Sequence, residues 1–309
     1  MSALMLLDTP SLYFRAFFGV PESVTAPDGT PVNAVRGLID MIARLVKDRS
    51  PARLVCCMDA DWRPAFRVAA LPSYKAHRVA EDGGDQTPDP LSAQLPIIDA
   101  VLDAVGLVRA GVPGYEADDV IGTLATRCAA EGGAVDIVTG DRDLFQLVDE
   151  GGPVLVLYTA RGIRNLQVMG EKEIAAKYGI PGRAYGDYAT LRGDPSDGLP
   201  GVPGVGDKTA AALVTRFGSV DGILTALDAG VTEGFPPGSR LKLTAARDYL
   251  ASAETVVKVV TDIPAPELED LPDTLPTTPR DPETLIALAD EWNLTSPVNR
   301  LLNALAAHP

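Results

Sequence analysis

Nine carboxylates stand where the chain leaves predicted strands or enters predicted helices and turns. The nine are Asp8, Asp59, Glu116, Asp118, Asp119, Asp141, Asp143, Asp194 and Asp197. Asp8 follows the apolar run 3–7, Asp59 follows the apolar run 54–58, and a third such run, 134–138, leads to Asp141. Because the carboxyl ends of parallel strands open on one rim of a sheet, we expect these side chains to lie together.

Like charges in this number would repel one another strongly unless cations shared the site. Oxygen-only ligation favours hard divalent ions, Mg²⁺ or Mn²⁺. Two such ions about 3.5–4 Å apart can bind both the attacking and the leaving oxygen of a phosphoryl displacement. Since no serine, cysteine or histidine nucleophile stands out, the pattern predicts two or more divalent cations and an attacking water. Taken singly, each carboxylate could instead be a turn residue, a helix N-cap or a partner of a helix dipole.

A glycine-rich segment, 199–209, resembles a helix–hairpin–helix turn. Its glycines let the backbone approach a phosphate, and the N–H groups at the start of the next helix face it. Lys208 adds a positive charge that reads no base. We therefore predict DNA-backbone contacts from Gly201, Gly204, Gly206, Lys208 and Thr209. The alternative is a flexible loop followed by an N-cap.

Basic and aromatic residues alternate between positions 62 and 78. They are Trp62, Arg63, Phe66, Arg67, Tyr74, Lys75, His77 and Arg78. Such a mixture suits single strands, where bases stack on rings and phosphates are neutralised. An amphipathic helix with a solvated basic face explains the same pattern equally well.

The order of the predicted elements indicates an α/β fold. Strands at 3–7, 54–58, 134–138 and 154–158 alternate with helices at 35–46, 95–105 and 116–131, which is typical of a mostly parallel sheet flanked by helices. Beyond residue 166 the pattern changes to short helices broken by glycine and proline, including one at 208–216. We expect a loop at 264–282 and a last helix at 282–292.

The composition is that of an ordinary globular protein, with 309 residues of which 46% are hydrophobic and 22% charged. No apolar run has the length of a membrane span, and the run ending at Asp8 has no basic region before it, so we expect a cytoplasmic protein without membrane contact. Three cysteines and two histidines make neither a disulfide framework nor a zinc site. The net charge of −15 does not exclude a nucleic-acid partner, because nine of the 42 acidic residues belong to the constellation above.

Together these residues resemble the 5′-nuclease family, which contains flap endonucleases, phage 5′-exonucleases and the N-terminal nuclease domain of bacterial DNA polymerase I. The resemblance runs from about Met5 to at least Thr261. Its most specific strings are 112–119 (VPGYEADD), 139–144 (TGDRDL) and 193–202 (GDPSDGLPGV). It implies a PIN-like catalytic domain at 1–165, a helix–three-turn–helix region at 166–262, and a C-terminal extension at 263–309.

The resemblance also implies roles for individual residues. Asp8, Asp59, Glu116 and Asp118 would surround a first metal with Asp119 close by, while the remaining four aspartates would surround a second. Arg67, Lys75 and Arg78 would contact the 5′-strand at the scissile phosphate and act as catalytic residues. We further predict that Arg15 contacts DNA, and the hairpin turn of the family often holds a potassium ion.

The implied activity is 5′-3′ exonuclease and structure-specific flap endonuclease, in primer removal and DNA repair. The expected partner of this stand-alone, monomeric enzyme is DNA with 5′ ends, flaps or gaps, or RNA primers on DNA. Two alternatives are an RNA-directed PIN-type ribonuclease and a non-catalytic DNA-binding scaffold. The family's helical arch would fall at 78–92, but this segment contains Gly83, Gly84, Pro88 and Pro90 and is acidic. Its composition therefore predicts a loop.

Overall fold

A six-stranded, mostly parallel sheet forms the centre of the computed structural model, which describes residues 3–80 and 83–307. The strands are β1 (Leu4–Asp8), β2 (Arg53–Cys57), β3 (Val108–Ala110), β4 (Val135–Thr139), β5 (Val154–Tyr158) and β6 (Gln167–Met169). Their spatial order is β3-β2-β1-β4-β5-β6, and only β6 is antiparallel to its neighbour. The predicted α/β class with a mostly parallel, flanked sheet is confirmed.

The strand order reverses at β1, because β2 lies on one side of it and β4 on the other. In open parallel sheets, ligands bind outside the carboxyl ends of the strands at such a reversal point. Here those ends are Asp8 of β1 and Thr139 of β4. The topology therefore places the first of the predicted carboxylates at the crevice of the sheet.

Fourteen α-helices are present in the described part of the chain. They are α1 (Thr9–Gly19), α2 (Asn33–Arg49), α3 (Ala65–Ala70), α4 (Asp89–Ser92), α5 (Leu95–Val105), α6 (Ala117–Ala130), α7 (Glu171–Tyr178), α8 (Tyr185–Arg192), α9 (Asp207–Phe217), α10 (Val220–Asp228), α11 (Ser239–Ala245), α12 (Arg247–Val257), α13 (Pro282–Glu291) and α14 (Thr295–Ala306). Within residues 3–80 and 83–307 no single helix is long and apolar enough to cross a membrane. Only the pair α9 and α10, bent by 73°, reaches that length and composition.

Alternate side chains of the strands enter two separate cores. Leu4 and Leu6 of β1 point to a core shared with α6, α8, α9 and α12, whereas Met5 and Leu7 point to a core shared with α1, α2, α5 and α14. This alternation is the period of two expected for a strand that is covered on both faces. Residues of the hairpin region and of the sheet thus share one core.

The predicted strands and helices agree with the structure to within a few residues, but two strands are missing from the prediction. β3 and β6 have three residues each, too few to show a periodicity. β6 lies beyond residue 165, where the catalytic domain was predicted to end, and it pairs with β5. The expectation that the helix at 282–292 is the last one is wrong, because α14 (Thr295–Ala306) follows it and buries Leu301 and Leu305 in the same core as α2.

The segment after Arg78 forms a turn closed by short-range contacts. Val79 and Asp85 form an antiparallel bridge, and the amide of Gln86 donates to the carbonyl of Arg78 at 2.9 Å. No helix is present between Val79 and Pro88 in the described residues, although Glu81 and Asp82 lie outside them. In the described residues the predicted loop is therefore present from Val79 to Pro88, and the prediction fails at its end, where the short helix α4 (Asp89–Ser92) begins.

All three cysteines are free and buried, as the sequence predicts. Cys56 and Cys57 lie on β2 and face opposite cores, while Cys128 lies on α6. Burial raises the pKa of the Cys56 thiol to about 12 and raises those of Cys57 and Cys128 as well. The thiols are therefore held in the neutral, unreactive form.

Candidate metal and nucleic-acid site

The carboxyl ends of β1 and β4 are joined by a side-chain hydrogen bond. Asp8 is buried at the end of β1, and its Oδ2 accepts from the Thr139 hydroxyl at 2.5 Å. Its Oδ1 accepts from the amide of Ser11 at 3.1 Å and so caps α1. These contacts fix the orientation of Asp8 toward the crevice between the two strands.

Two further carboxylates reach the same rim from β2 and α6. Asp59 follows β2 by two residues, and its Oδ1 accepts from the amide of Ala117 at 2.8 Å, which fixes the start of α6. Asp118 is the second residue of α6 and lies half-buried in the field of Asp8 and Asp141. The predicted convergence of separate strand ends is therefore present.

Asp141 and Asp143 extend the rim from β4. The amide of Asp143 donates to Asp141 Oδ1 at 2.8 Å, and Asp143 is buried at the start of a 3₁₀ helix, Asp143–Leu147. Asp194 is also buried, and its Oδ1 accepts from the amide of Ser196 at 2.9 Å. Asp197 completes the group, since it lies in the field of Asp141 and Asp194.

Burial, reinforced by repulsion from neighbouring carboxylates, raises the pKa values of five of these carboxyl groups: Asp8, Asp59, Asp118, Asp143 and Asp197. The pKa of Asp8 is about 7 and that of Asp197 about 6, against an ordinary value of 3.8. The pKa values of Asp118 and Asp143 are raised well above that ordinary value for the same two reasons. Perturbed carboxylates of this kind cluster where function requires them.

The donor chemistry of this rim fits divalent cations, because buried carboxylates that repel one another are stabilised by a shared positive ion. The fit is one of composition and placement. Among residues 3–80 and 83–307, no group of three His, Cys, Asp or Glu side chains stands close enough to hold an ion.

Asp119 differs from its predicted role. It is fully buried, and its two oxygens accept from the Arg67 guanidinium at 2.6 and 2.7 Å, from the amide of Glu116 and from the amide of Val260. Successive residues on a helix point about 100° apart, so Asp118 faces the rim while Asp119 faces the core. The structure thus contradicts a metal-ligating role for Asp119.

Arg67 also differs from its predicted contact with the scissile phosphate. It is 2% exposed and binds Asp119 with both terminal nitrogens, Glu116 at 2.7 Å, and the carbonyl of Val256 on α12 at 3.0 Å. All three guanidinium nitrogens of Arg67 already donate to protein oxygens, so none is left for a phosphate. Arg67 instead joins α3, α6 and α12 through a buried ion pair.

Lys75 lies inside the carboxylate group, close to where it was predicted. Its ammonium group donates to Glu116 Oε1, and Glu116 Oε2 accepts from the Tyr74 hydroxyl at 2.7 Å. The backbone of Lys75 is left-handed, with φ of 47°, and its amide donates to the carbonyl of Asp197 at 3.0 Å. A strained backbone at a non-glycine residue is kept where the surrounding contacts determine it, often at functional sites.

Other members of the basic and aromatic segment have local partners. Arg78 binds Asp85 at 2.7 Å and lies over the Trp62 ring, and Arg63 donates to the carbonyls of Tyr74 and Pro72. The single-strand surface suggested by this pattern is therefore not present as such. Most of these side chains stabilise the segment itself.

Arg15 on α1 borders the rim at Gly140. A Cβ atom at Gly140 would lie 2.9 Å from Ser11 Oγ, 3.2 Å from Thr159 Oγ1 and 3.3 Å from a terminal nitrogen of Arg15. In the described residues, Arg15 Nε and Thr159 Oγ1 are buried and have no hydrogen-bond partner. Buried polar atoms are normally paired, so these two atoms near Gly140 could bind a polar partner.

The hairpin turn lies directly before α9, as predicted, but not all of its residues are accessible for the predicted DNA contacts. Gly201 is buried against the backbone of Arg192 and Gly193, and its amide donates to the Tyr249 hydroxyl at 3.2 Å. Its predicted DNA contact is therefore wrong, and Gly201 serves close backbone packing. Gly204, Gly206 and Lys208 are exposed, and Gly206 is the N-cap of α9.

A basic cleft lies beside the hairpin turn and was not predicted from the sequence. The cleft, of about 720 Å³, is lined by five cationic side chains, one carboxylate, Asp207, and three tyrosine rings. The cations are Arg142, Arg161, Lys177, Arg192 and Lys208. They come from separate parts of the chain, so no local pattern reveals them.

Comparison with known proteins defines the class of this fold and site. Residues 3–179 match the family model described as the 5′-3′ exonuclease N-terminal resolvase-like domain, and residues 180–281 match the 5′-3′ exonuclease C-terminal SAM fold. The chain belongs to the 5′-3′ exonuclease family and is an enzyme, a hydrolase.

It is 56% identical to a 5′-3′ exonuclease of Streptomyces coelicolor over 98% of this chain and all of that protein. It is 50% identical to a 5′-3′ exonuclease of Mycobacterium tuberculosis over 100% of this chain and 99% of that protein. A DNA polymerase I of M. tuberculosis is 40% identical over 98% of this chain but only 32% of its own length.

Solved structures share the fold at low sequence identity. The bacteriophage T5 flap endonuclease, solved as a pseudo-enzyme-product complex with DNA and metal ions, has a TM-score of 0.65 and 18% identity, covering 98% of this chain and 99% of its own. The catalytic core of Rad2 in complex with DNA substrate has a TM-score of 0.58 and 15% identity, covering 100% and 92%.

Replacing Asp8 by asparagine should stabilise the metal-free protein at pH 8, and this advantage should shrink as the pH falls from about 7 and be lost below 3.8. The folded chain raises the pKa of Asp8 from 3.8 to about 7, so the ionised group destabilises the fold above pH 7 and this cost vanishes as the pH falls. We expect Asp8→Asn to raise the unfolding free energy by on the order of 2 kcal/mol at pH 8. Thermal melts in EDTA would measure it. Asp262→Asn, at an exposed aspartate, should show no such trend, and a pH-independent effect of Asp8→Asn would contradict the assignment.

Replacing Arg67 by methionine should destabilise the protein by about 3–5 kcal/mol, because two buried carboxylates would lose their partner. Urea unfolding would measure this change. Arg44→Met removes an exposed ion pair with Asp48 and should change stability by about 0.5 kcal/mol or less. If Arg67→Met left stability intact and lowered only DNA cleavage, a direct phosphate contact would be the better account.

Proposed function

We propose that this chain hydrolyses DNA phosphodiesters as a 5′-3′ exonuclease and structure-specific flap endonuclease. The observation that carries the proposal is the convergence of carboxylates from β1, β2, β4, α6 and the turn 193–198 at one rim of a parallel sheet. Such a rim, at the reversal point of the strand order, is where an open α/β sheet binds its ligand. Family membership and the neighbouring fold of a flap endonuclease support the same activity.

Divalent cations, Mg²⁺ or Mn²⁺, would be held by two groups of carboxylates. When bound, such ions supply an activated water and stabilise negative charge on the leaving oxygen. Asp8, Asp59 and Asp118 form the first group with Glu116 at its edge, since both Glu116 oxygens already accept from neighbouring side chains. The second group is Asp141, Asp143, Asp194 and Asp197.

Lys75 is the cation best placed to act on the scissile phosphate. Its ammonium group lies among the carboxylates, which hold its pKa above its ordinary value, so Lys75 stays protonated at neutral pH. A fixed positive charge at this position would stabilise charge that develops on the phosphate. Arg78 could add a second contact once it leaves Asp85. Arg15 would supply a third, because one of its terminal nitrogens lies beside Gly140, the residue before Asp141.

The basic cleft and the exposed part of the hairpin turn would hold the DNA backbone. Five cations and one carboxylate line the cleft, and only Arg142 and Arg192 of these cations also lie near Asp194, at 3.8 and 3.7 Å, so a local positive excess remains in a chain with a net charge of −15. The start of α9 offers free N–H groups near Lys208 and Thr209, as helix N-termini do for phosphates. Contacts of this kind position DNA without reading its sequence.

The proposed substrates are DNA 5′ ends, flaps and gaps, and RNA primers on DNA, which a monomer of this chain would process in primer removal and DNA repair. The chain covers 32% of the length of a DNA polymerase I relative, which is consistent with a role in replication. An RNA-directed ribonuclease is disfavoured by the hairpin turn and the basic cleft. A non-catalytic scaffold is disfavoured by the intact carboxylate rim.

Alanine at Asp118, Asp141 or Asp194 should reduce cleavage of a labelled 5′-flap DNA by about two orders of magnitude or more, since each removes charge that the cations need. Circular dichroism should show an intact fold, and Asp262→Ala should cleave normally. Cleavage by the unaltered chain should stop in EDTA and return with Mg²⁺. Near-normal turnover by all three variants at saturating Mg²⁺, or cleavage of the RNA counterpart alone, would refute the proposal.

Alanine at Lys208 should weaken duplex binding similarly on unrelated sequences and lower the salt dependence of the affinity by about one unit of slope. Titrations in EDTA at several salt concentrations would measure both quantities. Lys47→Ala, an exposed lysine on α2 at the other face of the sheet, is the matched control. An unchanged slope for Lys208→Ala would remove this residue from the interface.

A further inference from the structure

A lysine from α11 lies across the hairpin turn. The ammonium group of Lys242 donates to the carbonyl of Gly204 at 2.9 Å. Its stem packs on the same glycine, because a Cβ atom at Gly204 would lie 2.6 Å from Lys242 Nζ and 3.3 Å from Cε. Gly204 has φ of 72°, a backbone conformation that favours glycine.

The two elements that carry this contact are each anchored. On α11, Leu243 is fully buried and Ser239 Oγ donates to the carbonyl of Pro236 at 2.7 Å. The turn is fixed by Tyr249, whose hydroxyl accepts from the amide of Gly201 and donates to the carbonyl of Thr190 at 2.9 Å. The base of the Lys242 side chain and its acceptor are therefore held in place.

The contact changes what the turn can bind. A potassium ion is held by carbonyl oxygens that replace its water shell. Here the carbonyls of Val202 and Gly206 accept from backbone amides at 2.9 Å, and that of Gly204 accepts from Lys242. An ammonium group at this oxygen would repel a cation that shared it. With Lys242 in place, the Gly204 carbonyl does not fit the potassium ion that the family resemblance implies for this turn.

We propose that Lys242 is the monovalent cation of the hairpin turn, supplied by the chain itself. It donates a hydrogen bond to the Gly204 carbonyl and adds a positive charge beside the turn that carries Lys208. Phosphate binding at this turn is then independent of potassium. This part rests on the proposed DNA-binding function, whereas the cation site itself does not.

Duplex binding in KCl and in LiCl at equal ionic strength, with EDTA present, tests the proposal. The unaltered chain should bind equally in both salts. Lys242→Met keeps the approximate length of the side chain but leaves the Gly204 carbonyl without its ammonium partner. The affinity of this variant for duplex DNA should therefore be about threefold to fivefold weaker in LiCl and should recover in KCl. Lys242→Arg should behave like the unaltered chain, and Lys47→Met should show no preference between the salts. A potassium requirement in the unaltered chain, or no potassium effect in Lys242→Met, would overturn the inference.

Two measurements without DNA separate this inference from the proposed function. Potassium, but not lithium, should raise the melting temperature of Lys242→Met and leave that of the unaltered chain unchanged. Crystals soaked in thallium(I), whose size is close to that of potassium, should show an anomalous peak at the turn only in Lys242→Met. A thallium peak at the turn of the unaltered chain would overturn the cation assignment, whatever the DNA measurements show. If the chain binds no DNA in either salt, the proposed function fails. The thallium result still decides whether Lys242 takes the place of the cation at the turn.

Discussion

Concentrated negative charge at one rim of the sheet is the constraint on which the rest of the structure depends. Three strand ends, the start of α6 and the turn 193–198 must approach one another although each brings carboxylates. The fold offsets part of this repulsion with Arg67 and Lys75, which enter the group from the segment after β2. The approach is close enough that Gly198 cannot carry a side chain, since a Cβ atom there would lie 2.2 Å from the carbonyl of Ser73. The remaining repulsion is what a bound cation would relieve.

The ion pairs of Arg67 also connect the carboxylate rim to the helices that carry the hairpin turn. Arg67 binds carboxylates at the start of α6 and also the carbonyl of Val256 at the end of α12, and α12 packs on α8 within the shared core. The hairpin turn is fixed to α12 through Tyr249. Rim and turn are thus held by one continuous set of packed and hydrogen-bonded residues, so the distance between the proposed cleavage site and the proposed DNA anchor is set by the fold itself.

Much of the sheet and of the rim could be predicted, for identifiable reasons. Buried strands such as Leu4–Asp8 are short apolar runs, and recurrence of aspartate after several of them is a signal that single positions lack. Arg67 could not be assigned correctly, because an arginine among aromatic residues looks the same whether it faces a phosphate or two buried carboxylates. The metal-binding role predicted for Asp119 is wrong because Asp119 is adjacent to Asp118 in the sequence. Only the helical geometry of α6 shows that the two side chains point to different faces. The basic cleft is assembled from distant elements, so it has no local sequence signal.

The buried thiols of Cys56, Cys57 and Cys128 bear on how this enzyme can be studied. Each is inaccessible and held neutral, so maleimide dyes should not modify the native chain under mild conditions. A single cysteine introduced on the surface, at the exposed Thr244 on α11 near the hairpin turn, would then be the only reactive position. Fluorophores can therefore be attached to this chain without first removing any of its own cysteines, which leaves both cores as they are.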